Sequence, residues 1–316
     1  SGTRIKKHAR EGDIVPVAQT IGYIGEQGES VAEKPSKTII NHKVKPAEIG
    51  LEEYDVVVVG GGPAGYVAAI KASRLGARTA LVERSVVGGT CLNRGCIPTK
   101  TYLKTAELIE QIRHAENRGI VISDAQLRVD MQKAVAGKDK VVKQLTGGVA
   151  TLLKSNGVFV YSGEARINPD KTVTAGDVKI SAGKVILAGG SKAAKLNLPG
   201  MDSKRVLTSD EILDIGHVPE SIAIIGGGVI GVEMASIFAS FGSSVTVIEL
   251  MDNVLPMMDN DISNAIRKTL EKKGIKIFTC TKLERIEETK KGVVLYTNNQ
   301  PPVEAEFALL SVGRVE

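Results

Sequence analysis

The stretch YDVVVVGGGPAGYVAAIKASRLGARTALVE, Tyr54 to Glu83, decides the fold of this chain. A run of valines after Asp55 predicts a buried strand as far as Val59, and a glycine-rich turn then leads into a segment of helical periodicity that ends near Leu75. A second β-rich run follows at 79–83. Strand, glycine turn, helix and strand in this order indicate a βαβ unit of a parallel sheet.

The same unit recurs in SIAIIGGGVIGVEMASIFASFGSSVTVIEL, Ser221 to Leu250. Between the two copies the pattern predicts helices at about Thr99–Asn117 and Met131–Ser155, and a hairpin-like meander around Thr172–Ile180. After the second copy, IRKTLEKKGIKIFTC predicts a helix followed by a strand, and GVVLYTNN and FALLSVGRVE each predict a further strand. The repetition predicts an α/β protein with two Rossmann-like dinucleotide-binding domains.

Each copy carries a G-x-G-x-x-G turn that opens a helix. In such a turn the first glycine permits the bend, the second lets the backbone approach a pyrophosphate, and the third lets the helix pack on the strand. The free amides at the helix start then attract the phosphate. The predicted binding residues are Gly60, Gly62, Pro63, Ala64 and Gly65 in the first copy, and Gly226, Gly228, Val229, Ile230 and Gly231 in the second.

A glutamate ends the second strand of each unit. Glu83 and Glu249 can accept hydrogen bonds from the ribose hydroxyls of an adenosine. A carboxylate at Glu249 would repel the 2′-phosphate of NADP, and no arginine follows it closely, so the second site is predicted to prefer NAD. Glu83 with its neighbour Arg84 also suits the adenosine of FAD. The turns alone leave open an ordinary α/β sheet without nucleotides.

Composition narrows the functional classes. The chain has 316 residues, 42% of them hydrophobic, which is enough to form two domains. Its net charge of +5 comes from mixed basic and acidic residues without a basic block, so a nucleic-acid partner is not predicted. No apolar run reaches membrane-spanning length and no signal peptide begins the chain. A cytoplasmic protein is therefore expected.

Two of the three cysteines lie in GGTCLNRGCIPTK, Gly88 to Lys100. A metal site would need further ligands, and no other Cys or His lies nearby in the sequence, so no metal is predicted. A disulfide that closes so short a loop would add little stability. Redox chemistry is favoured, because the start of a helix after Cys96 stabilises a thiolate. FAD in the first site and NAD in the second would give both turns and the dithiol a use.

With these residues the chain resembles the FAD-dependent pyridine nucleotide–disulfide oxidoreductases, and among them the dihydrolipoyl dehydrogenases, the E3 components of 2-oxo-acid dehydrogenase complexes. The similarity covers about residues 53 to 314. The segments that carry it are DVVVVGGGPAGYVAAIKASRLG, GGTCLNRGCIPTK, VVKQLTGGVATLLKSNGV, IAIIGGGVIGVEMASIFASFG and LLSVGR. The resemblance implies a flavoprotein that oxidises dihydrolipoamide to lipoamide and passes the electrons through a disulfide and FAD to NAD⁺.

The resemblance also implies roles for single residues. Cys91 resembles the thiol that exchanges with the substrate, and Cys96 the thiol next to the flavin. Lys100 resembles a lysine near the flavin that is paired with a glutamate, here Glu233. The implied FAD site further includes Gly89, Thr90, Ala165, Ala188 and Ser191, and the implied NAD site includes Leu283 and Gly313. One departure is Gly189, where the family usually has threonine.

Domain limits follow from the same comparison. Residues 53–196 are predicted to be the first part of an FAD-binding domain, into which an NAD-binding domain, 197–316, is inserted. Residues 1–30 resemble the last part of a lipoyl domain, and 31–52 are interpreted as a linker. The family's C-terminal interface domain, with its catalytic His–Glu pair, has no counterpart here.

The chain is therefore expected to be a fragment that does not turn over dihydrolipoamide by itself. Implied partners are the dihydrolipoyl groups of an E2 component or of the glycine cleavage H protein. A homodimer is implied for the whole enzyme, and a monomer for a fragment. Two alternatives stay open at this point: another disulfide reductase, of the mercuric or coenzyme A disulfide type, or an inert dinucleotide-binding module.

Overall fold

The computed structural model describes residues 52–121 and 127–316, together with two short strands near the start of the chain. These strands, β1 (Thr3–Lys7) and β2 (Gly22–Gly25), pair antiparallel and belong to a separate unit, 1–52. The rest of the segment interpreted as a lipoyl-domain remnant and almost all of the predicted linker lie outside the described residues. Residues 53–316 form the second unit.

The first nucleotide-binding fold has one six-stranded sheet, in the order β5-β4-β3-β8-β7-β6. Strands β3, β4 and β5 are parallel, whereas β6, β7 and β8 form an antiparallel meander. Its elements, in chain order, are β3 (Glu52–Val59), α1 (Pro63–Arg74), β4 (Thr79–Glu83), α2 (Gly89–Arg94), α3 (Cys96–Arg113), a 3₁₀ turn (Ala115–Arg118), α4 (Met131–Ser155), β5 (Phe159–Ser162), β6 (Ala165–Ile167), β7 (Val173–Ala175) and β8 (Val178–Leu187).

Sequence explains most of these limits. The predicted helix 131–155 is confirmed, and it begins where the side chain of Asp130 accepts a hydrogen bond of 3.1 Å from the Lys133 amide. The helix predicted from Thr99 begins instead at Cys96 and ends at Arg113. Pro98 does not delay it, because a proline in the first turn removes an amide that has no partner within the helix.

The second nucleotide-binding fold has a five-stranded parallel sheet in the order β10-β17-β11-β12-β13, and a separate antiparallel sheet, β14-β15-β16. Its elements and the strand before it are β9 (Lys192–Ala193), β10 (Val206–Thr208), a 3₁₀ turn (Glu211–Asp214), β11 (Ser221–Ile225), α5 (Val229–Phe241), β12 (Ser244–Ile248), α6 (Asn260–Lys272), β13 (Lys276–Phe278), β14 (Leu283–Glu288), β15 (Val293–Thr297), β16 (Val303–Ala305), β17 (Phe307–Leu310) and β18 (Arg314–Val315).

The two folds share a hydrophobic core. Tyr102 of α3 is buried with Phe238 and Phe241 of α5, and its hydroxyl donates a hydrogen bond of 2.6 Å to the carbonyl of Leu213. Strand β18, at the end of the second fold, pairs antiparallel with β9. The α/β class with two Rossmann-like folds is confirmed, and the chain returns to β9 as an inserted second domain requires. The limit at 196 stays a prediction.

Membrane insertion has no support from the helices. Within the ranges that the structure describes, no helix combines the length and apolar character needed to cross a bilayer.

Candidate active site

The first glycine turn, between β3 and α1, has no room for side chains. Gly60 has a φ of +104°, and a Cβ on it would lie 2.1 Å from the carbonyl oxygen of Ala188. A Cβ on Gly65 would lie 1.7 Å from the Gly60 oxygen. The N-cap of α1, Gly62, has no side chain to accept from the first amides of the helix. Those amides are free for an anionic group, so the turn fits a pyrophosphate.

The second turn, between β11 and α5, repeats this geometry. Gly226 also has a φ of +104°, and a Cβ on Gly231 would lie 2.0 Å from the Gly226 oxygen. The N-cap of α5, Gly228, likewise has no capping side chain, and no atom lies within 4 Å of the position of its missing Cβ. The hydroxyl of Ser311 donates 2.9 Å hydrogen bonds to the carbonyls of Ile225 and Gly226, and these bonds hold the turn against β17.

The two strand-end glutamates lie against these turns. One carboxylate oxygen of Glu83 accepts a 2.7 Å hydrogen bond from the Gly61 amide, and the other accepts a 2.9 Å bond from the Ser85 amide. Glu249 accepts in the same way from the amides of Gly227 and Met251. Each carboxylate is thereby fixed beside its turn and keeps lone pairs free for a ribose.

A cavity of about 740 Å³ begins at the first turn and reaches the cysteines. Most of the residues predicted for the FAD site line it, and so do Val229, Ile230 and Glu233 of α5. The predicted residues in its wall are Gly60, Gly62, Pro63, Ala64, Glu83, Gly89, Thr90, Cys91, Cys96, Lys100, Ala188 and Ser191.

Three residues predicted for the FAD site lie elsewhere. Gly65 packs beneath the turn against Gly60 and not in the cavity wall. Arg84 lies outside the cavity. Ala165 belongs to β6, where it pairs with Ala175 in the antiparallel meander and packs against the core of the sheet. Ala165 was assigned to the FAD site by resemblance alone, because the meander carries no nucleotide motif of its own.

A second cavity, of about 700 Å³, begins at the second turn. Of the residues predicted for the NAD site, those in its wall are Gly226, Gly228, Val229, Ile230, Glu249, Leu283 and Gly313. Gly231 packs beneath the turn. Glu233, which the resemblance implies as the partner of Lys100 near the flavin, lines the first cavity.

Sequence reasoning missed several residues of the first cavity. Arg94 lies between the two cysteines and Arg314 follows a predicted glycine, so local signals existed for both. Asp210 and Lys192 also line this cavity, but neither belongs to a sequence motif that would have predicted it.

The cysteine pair is formed by two successive helices. Cys91 lies on α2 and Cys96 is the first residue of α3, and both thiols are free. Burial raises the pKa of the Cys91 thiol, and its interaction with the Cys96 side chain raises it further, whereas the charge of Lys100 lowers it. Among the described residues, no three His, Cys, Asp or Glu side chains form a cluster that could hold a metal ion.

Lys100 and Glu233 face the same cavity from α3 and α5. Burial raises the pKa of the Glu233 carboxyl, and the positive charge of Lys100 partly offsets this rise. No ion pair within 4.0 Å joins the two side chains in the described part of the chain, so the pairing implied by the resemblance is electrostatic here and not a direct contact.

A family model described as pyridine nucleotide-disulphide oxidoreductase matches residues 54–316. The chain belongs to this family. Its members use FAD and NAD(H), and the two glycine turns and the dithiol are the parts that such an oxidoreductase needs.

Relatives within the family carry consistent names. The chain is 46% identical over 268 residues to the dihydrolipoyl dehydrogenase of Acholeplasma laidlawii, and the match covers 83% of this chain and 79% of that one. It is 36% identical over 264 residues to the dihydrolipoyl dehydrogenase of Bacillus subtilis, with 82% of this chain and 58% of that one covered.

A solved structure of the family has the same fold. The HOCl-induced flavoprotein disulfide reductase RclA from Escherichia coli is 30% identical, with a TM-score of 0.72 over 83% of this chain and 57% of that one. This chain thus spans little more than half the length of the Bacillus subtilis relative and of RclA.

Proposed function

We propose that this chain carries the FAD site, the NAD site and the redox-active disulfide of an enzyme that oxidises dihydrolipoamide to lipoamide with NAD⁺. The observation that carries the proposal is the position of Cys91 and Cys96, in the wall of the cavity that starts at the first glycine turn. A dithiol beside a nucleotide turn is the arrangement that a flavin-linked thiol oxidation requires.

Binding of FAD is assigned to the first cavity. The free amides at the start of α1 bind the pyrophosphate, and the fixed carboxylate of Glu83 accepts from the adenosine ribose. The equivalent amides of α5 and the carboxylate of Glu249 bind NAD⁺ in the second cavity. FAD held in the first cavity would supply an acceptor for the electron pair of the dithiol and a hydride donor for NAD⁺.

The thiol exchange belongs to the cysteines. One thiolate of dihydrolipoamide attacks the Cys91 sulfur of the Cys91–Cys96 disulfide and forms a mixed disulfide, and the Cys96 sulfur leaves as a thiolate. The second substrate thiol then attacks the substrate sulfur bound to Cys91, so that lipoamide is released and Cys91 leaves as the second thiol. Two electrons and two protons pass from the substrate to the pair.

Local charges suit this order of events. Cys96 leaves at the N-terminus of α3, an 18-residue helix whose free amides stabilise a thiolate. The raised pKa of Cys91 keeps its proton in place once the pair is reduced. Lys100 adds a positive charge to the cavity, and half-buried Glu233 faces it.

Partners are proposed on the same basis. The dihydrolipoyl group of an E2 component or of a glycine cleavage H protein supplies the substrate, and the whole enzyme forms a homodimer. A cytoplasmic location fits a thiol pair that remains open to exchange.

Single-turnover chemistry tests the proposal. The chain with an oxidised Cys91–Cys96 disulfide is mixed under anaerobic conditions with one equivalent of dihydrolipoamide, and lipoamide and protein thiols are counted. We expect one lipoamide and two new thiols per chain, and none in Cys91→Ser. Exchange with coenzyme A but not with dihydrolipoamide would assign a different substrate class, and exchange with neither would refute the redox role.

A further inference from the structure

The short helix α2 that carries Cys91 is held at both ends by charged side chains. Its first turn includes Thr90, whose hydroxyl accepts a 3.3 Å hydrogen bond from the Arg314 guanidinium. Its last residue is Arg94, whose guanidinium lies 3.5 Å from a carboxylate oxygen of Asp210. Cys91 follows Thr90 directly, and Cys96 follows Arg94 after one glycine.

A single carboxylate joins these two ends. The second carboxylate oxygen of Asp210 lies 3.9 Å from the Arg314 guanidinium, so Arg94 and Arg314 share the carboxylate group of Asp210. Arg314 is itself fixed by hydrogen bonds of 2.9 Å to the hydroxyl and 2.6 Å to the carbonyl of Ser191. The contacts therefore close a ring through α2, β18 and the segment that follows β10.

The local contact of Asp210 is weak: its carboxylate accepts a 3.5 Å hydrogen bond from the hydroxyl of the neighbouring Ser209. Asp210 is the N-cap of the 3₁₀ turn Glu211–Asp214, a position where an aspartate usually accepts from a backbone amide, but its side chain makes no such bond. The carboxylate faces the two arginines instead, and it is 29% exposed. Because the carboxylate is partly buried, solvent and salt screen its attraction to each guanidinium less than they screen a fully exposed ion pair.

We propose that Asp210 is a positioning residue which, through Arg94 and Arg314, fixes both ends of α2 and thereby the approach of Cys91 to Cys96. The inference rests on the proposed redox role of the pair. A disulfide forms only when the two Cβ atoms come within about 3.5–4.5 Å of one another. A fixed α2 keeps the thiols near this geometry and raises their effective concentration, so the ring favours the disulfide over the dithiol.

The reaction to be measured is exchange with glutathione. The two thiols of the pair and one glutathione disulfide give the Cys91–Cys96 disulfide and two reduced glutathione molecules, so atoms and electrons balance. The full chain with Cys280→Ser is equilibrated over a range of glutathione ratios, quenched with acid and alkylated, and the oxidised fraction is read by mass spectrometry.

Asp210→Asn keeps the side-chain shape and removes the charge. We expect its equilibrium constant for disulfide formation to fall about three- to tenfold, and a tenfold fall corresponds to about 30 mV. Arg94→Gln should fall by a similar factor. The double variant should fall no further than the larger single effect, because both substitutions break the same contact. Asp202→Asn, an exposed aspartate of the same region, is the matched control and should stay within about twofold.

A merely structural role predicts a different pattern. It would lower the urea midpoint of Asp210→Asn and leave the exchange constant of the folded chain unchanged, and that result would overturn the inference. Independent, multiplying effects of Asp210→Asn and Arg94→Gln would overturn it too. Arg94→Gln, whose side chain is half exposed, supplies the same test if Asp210→Asn does not fold.

The two proposals fail differently. If the parent chain forms no Cys91–Cys96 disulfide at any glutathione ratio, the redox role fails and this inference with it. If the disulfide forms but its equilibrium does not respond to Asp210→Asn, the redox role stands and only the positioning role is lost.

Discussion

Lys100 and Glu233 lie on helices of different nucleotide-binding folds, yet the charge of the lysine acts on the carboxyl group across one cavity. Burial raises the pKa of Glu233 and Lys100 lowers it. Each of the two folds therefore contributes a charged side chain of this pair to the space beside the cysteines. This shared wall requires α3 to pack on α5, as the common core shows.

Lys100→Met should raise the pKa of Glu233 further, because the substitution removes a positive charge that opposes the effect of burial. A titration of the chain followed by carboxyl ¹³C NMR measures the shift, with Lys104→Met, on the same helix but paired with Glu107, as the control. A lower Glu233 pKa in Lys100→Met would contradict the assignment of Lys100 to this cavity.

Glu233 also gives stability a pH dependence of known sign. The folded-state pKa of Glu233 lies above its unfolded value, so the protonated carboxyl group stabilises the folded chain. This contribution to the unfolding free energy is fully present below the unfolded pKa and is lost as pH rises through the folded pKa. Glu233→Gln should therefore be more stable than the parent at neutral pH, and the difference should vanish in acid. Urea unfolding at several pH values measures this, and an equal difference at all pH values would contradict it.

Two substitutions in the second glycine turn should have different effects, one on stability and the other on nucleotide binding. Gly231→Ala forces a Cβ to within 2.0 Å of the Gly226 oxygen, and we expect a loss of about 1–3 kcal/mol of unfolding free energy. Gly228→Ala meets no atom within 4 Å and should unfold like the parent chain. Its methyl group would nevertheless stand where the nucleotide phosphate binds, so NADH affinity should fall. Urea unfolding and fluorescence titration with NADH measure the two effects, and unchanged NADH binding by Gly228→Ala would remove the second turn from the NAD site.

Glu249 predicts the nucleotide preference. Its buried carboxylate should repel a 2′-phosphate, so the chain should bind NADH more tightly than NADPH. Glu249→Gln keeps an acceptor for the turn amides and removes the charge, and we expect the ratio of the two Kd values to narrow by about tenfold, or ~1.4 kcal/mol. Glu83→Gln, the matched change in the first turn, should leave the ratio unaltered. If Glu83→Gln narrowed the ratio and Glu249→Gln did not, NAD would be assigned to the first turn and FAD to the second.

The Cys91 thiol should respond to its neighbour. Burial is the largest cause of the raised pKa of Cys91, followed by the hydrogen bond with the Cys96 side chain and the charge of Cys96. Cys96→Ser removes that charge, so the pKa of Cys91 should fall while burial continues to raise it. The pH dependence of iodoacetamide alkylation, measured with Cys280→Ser in both proteins, gives the two values. If the pH dependence of Cys91 alkylation were the same with and without Cys96→Ser, the two thiols would lie too far apart to act as a pair.

Local sequence predicted the parts of this molecule that local sequence controls. The two glycine turns and the helix that Asp130 caps follow from residues within a few positions, and these predictions are confirmed. The antiparallel sheet β14-β15-β16 was predicted only at its middle strand, because β14 carries weak apolar alternation and β16 has only three residues.

Contacts between distant segments of the chain were not predicted from the sequence. Asp210 joins Arg94 and Arg314, which lie in distant segments, and no motif marks an aspartate in the segment after β10. Ala165 was placed at the FAD site by resemblance and lies in the meander. The roles of individual site residues stay predictions until they are substituted.

Electron flow between nicotinamide and cysteines tests the account most directly. The chain, oxidised at Cys91 and Cys96 and supplied with FAD, receives one equivalent of NADH without oxygen, and alkylation followed by mass spectrometry then locates the new thiols. The account predicts that both cysteines become alkylated and that this requires FAD. Bound FAD and oxidised NADH with an intact Cys91–Cys96 disulfide would contradict it.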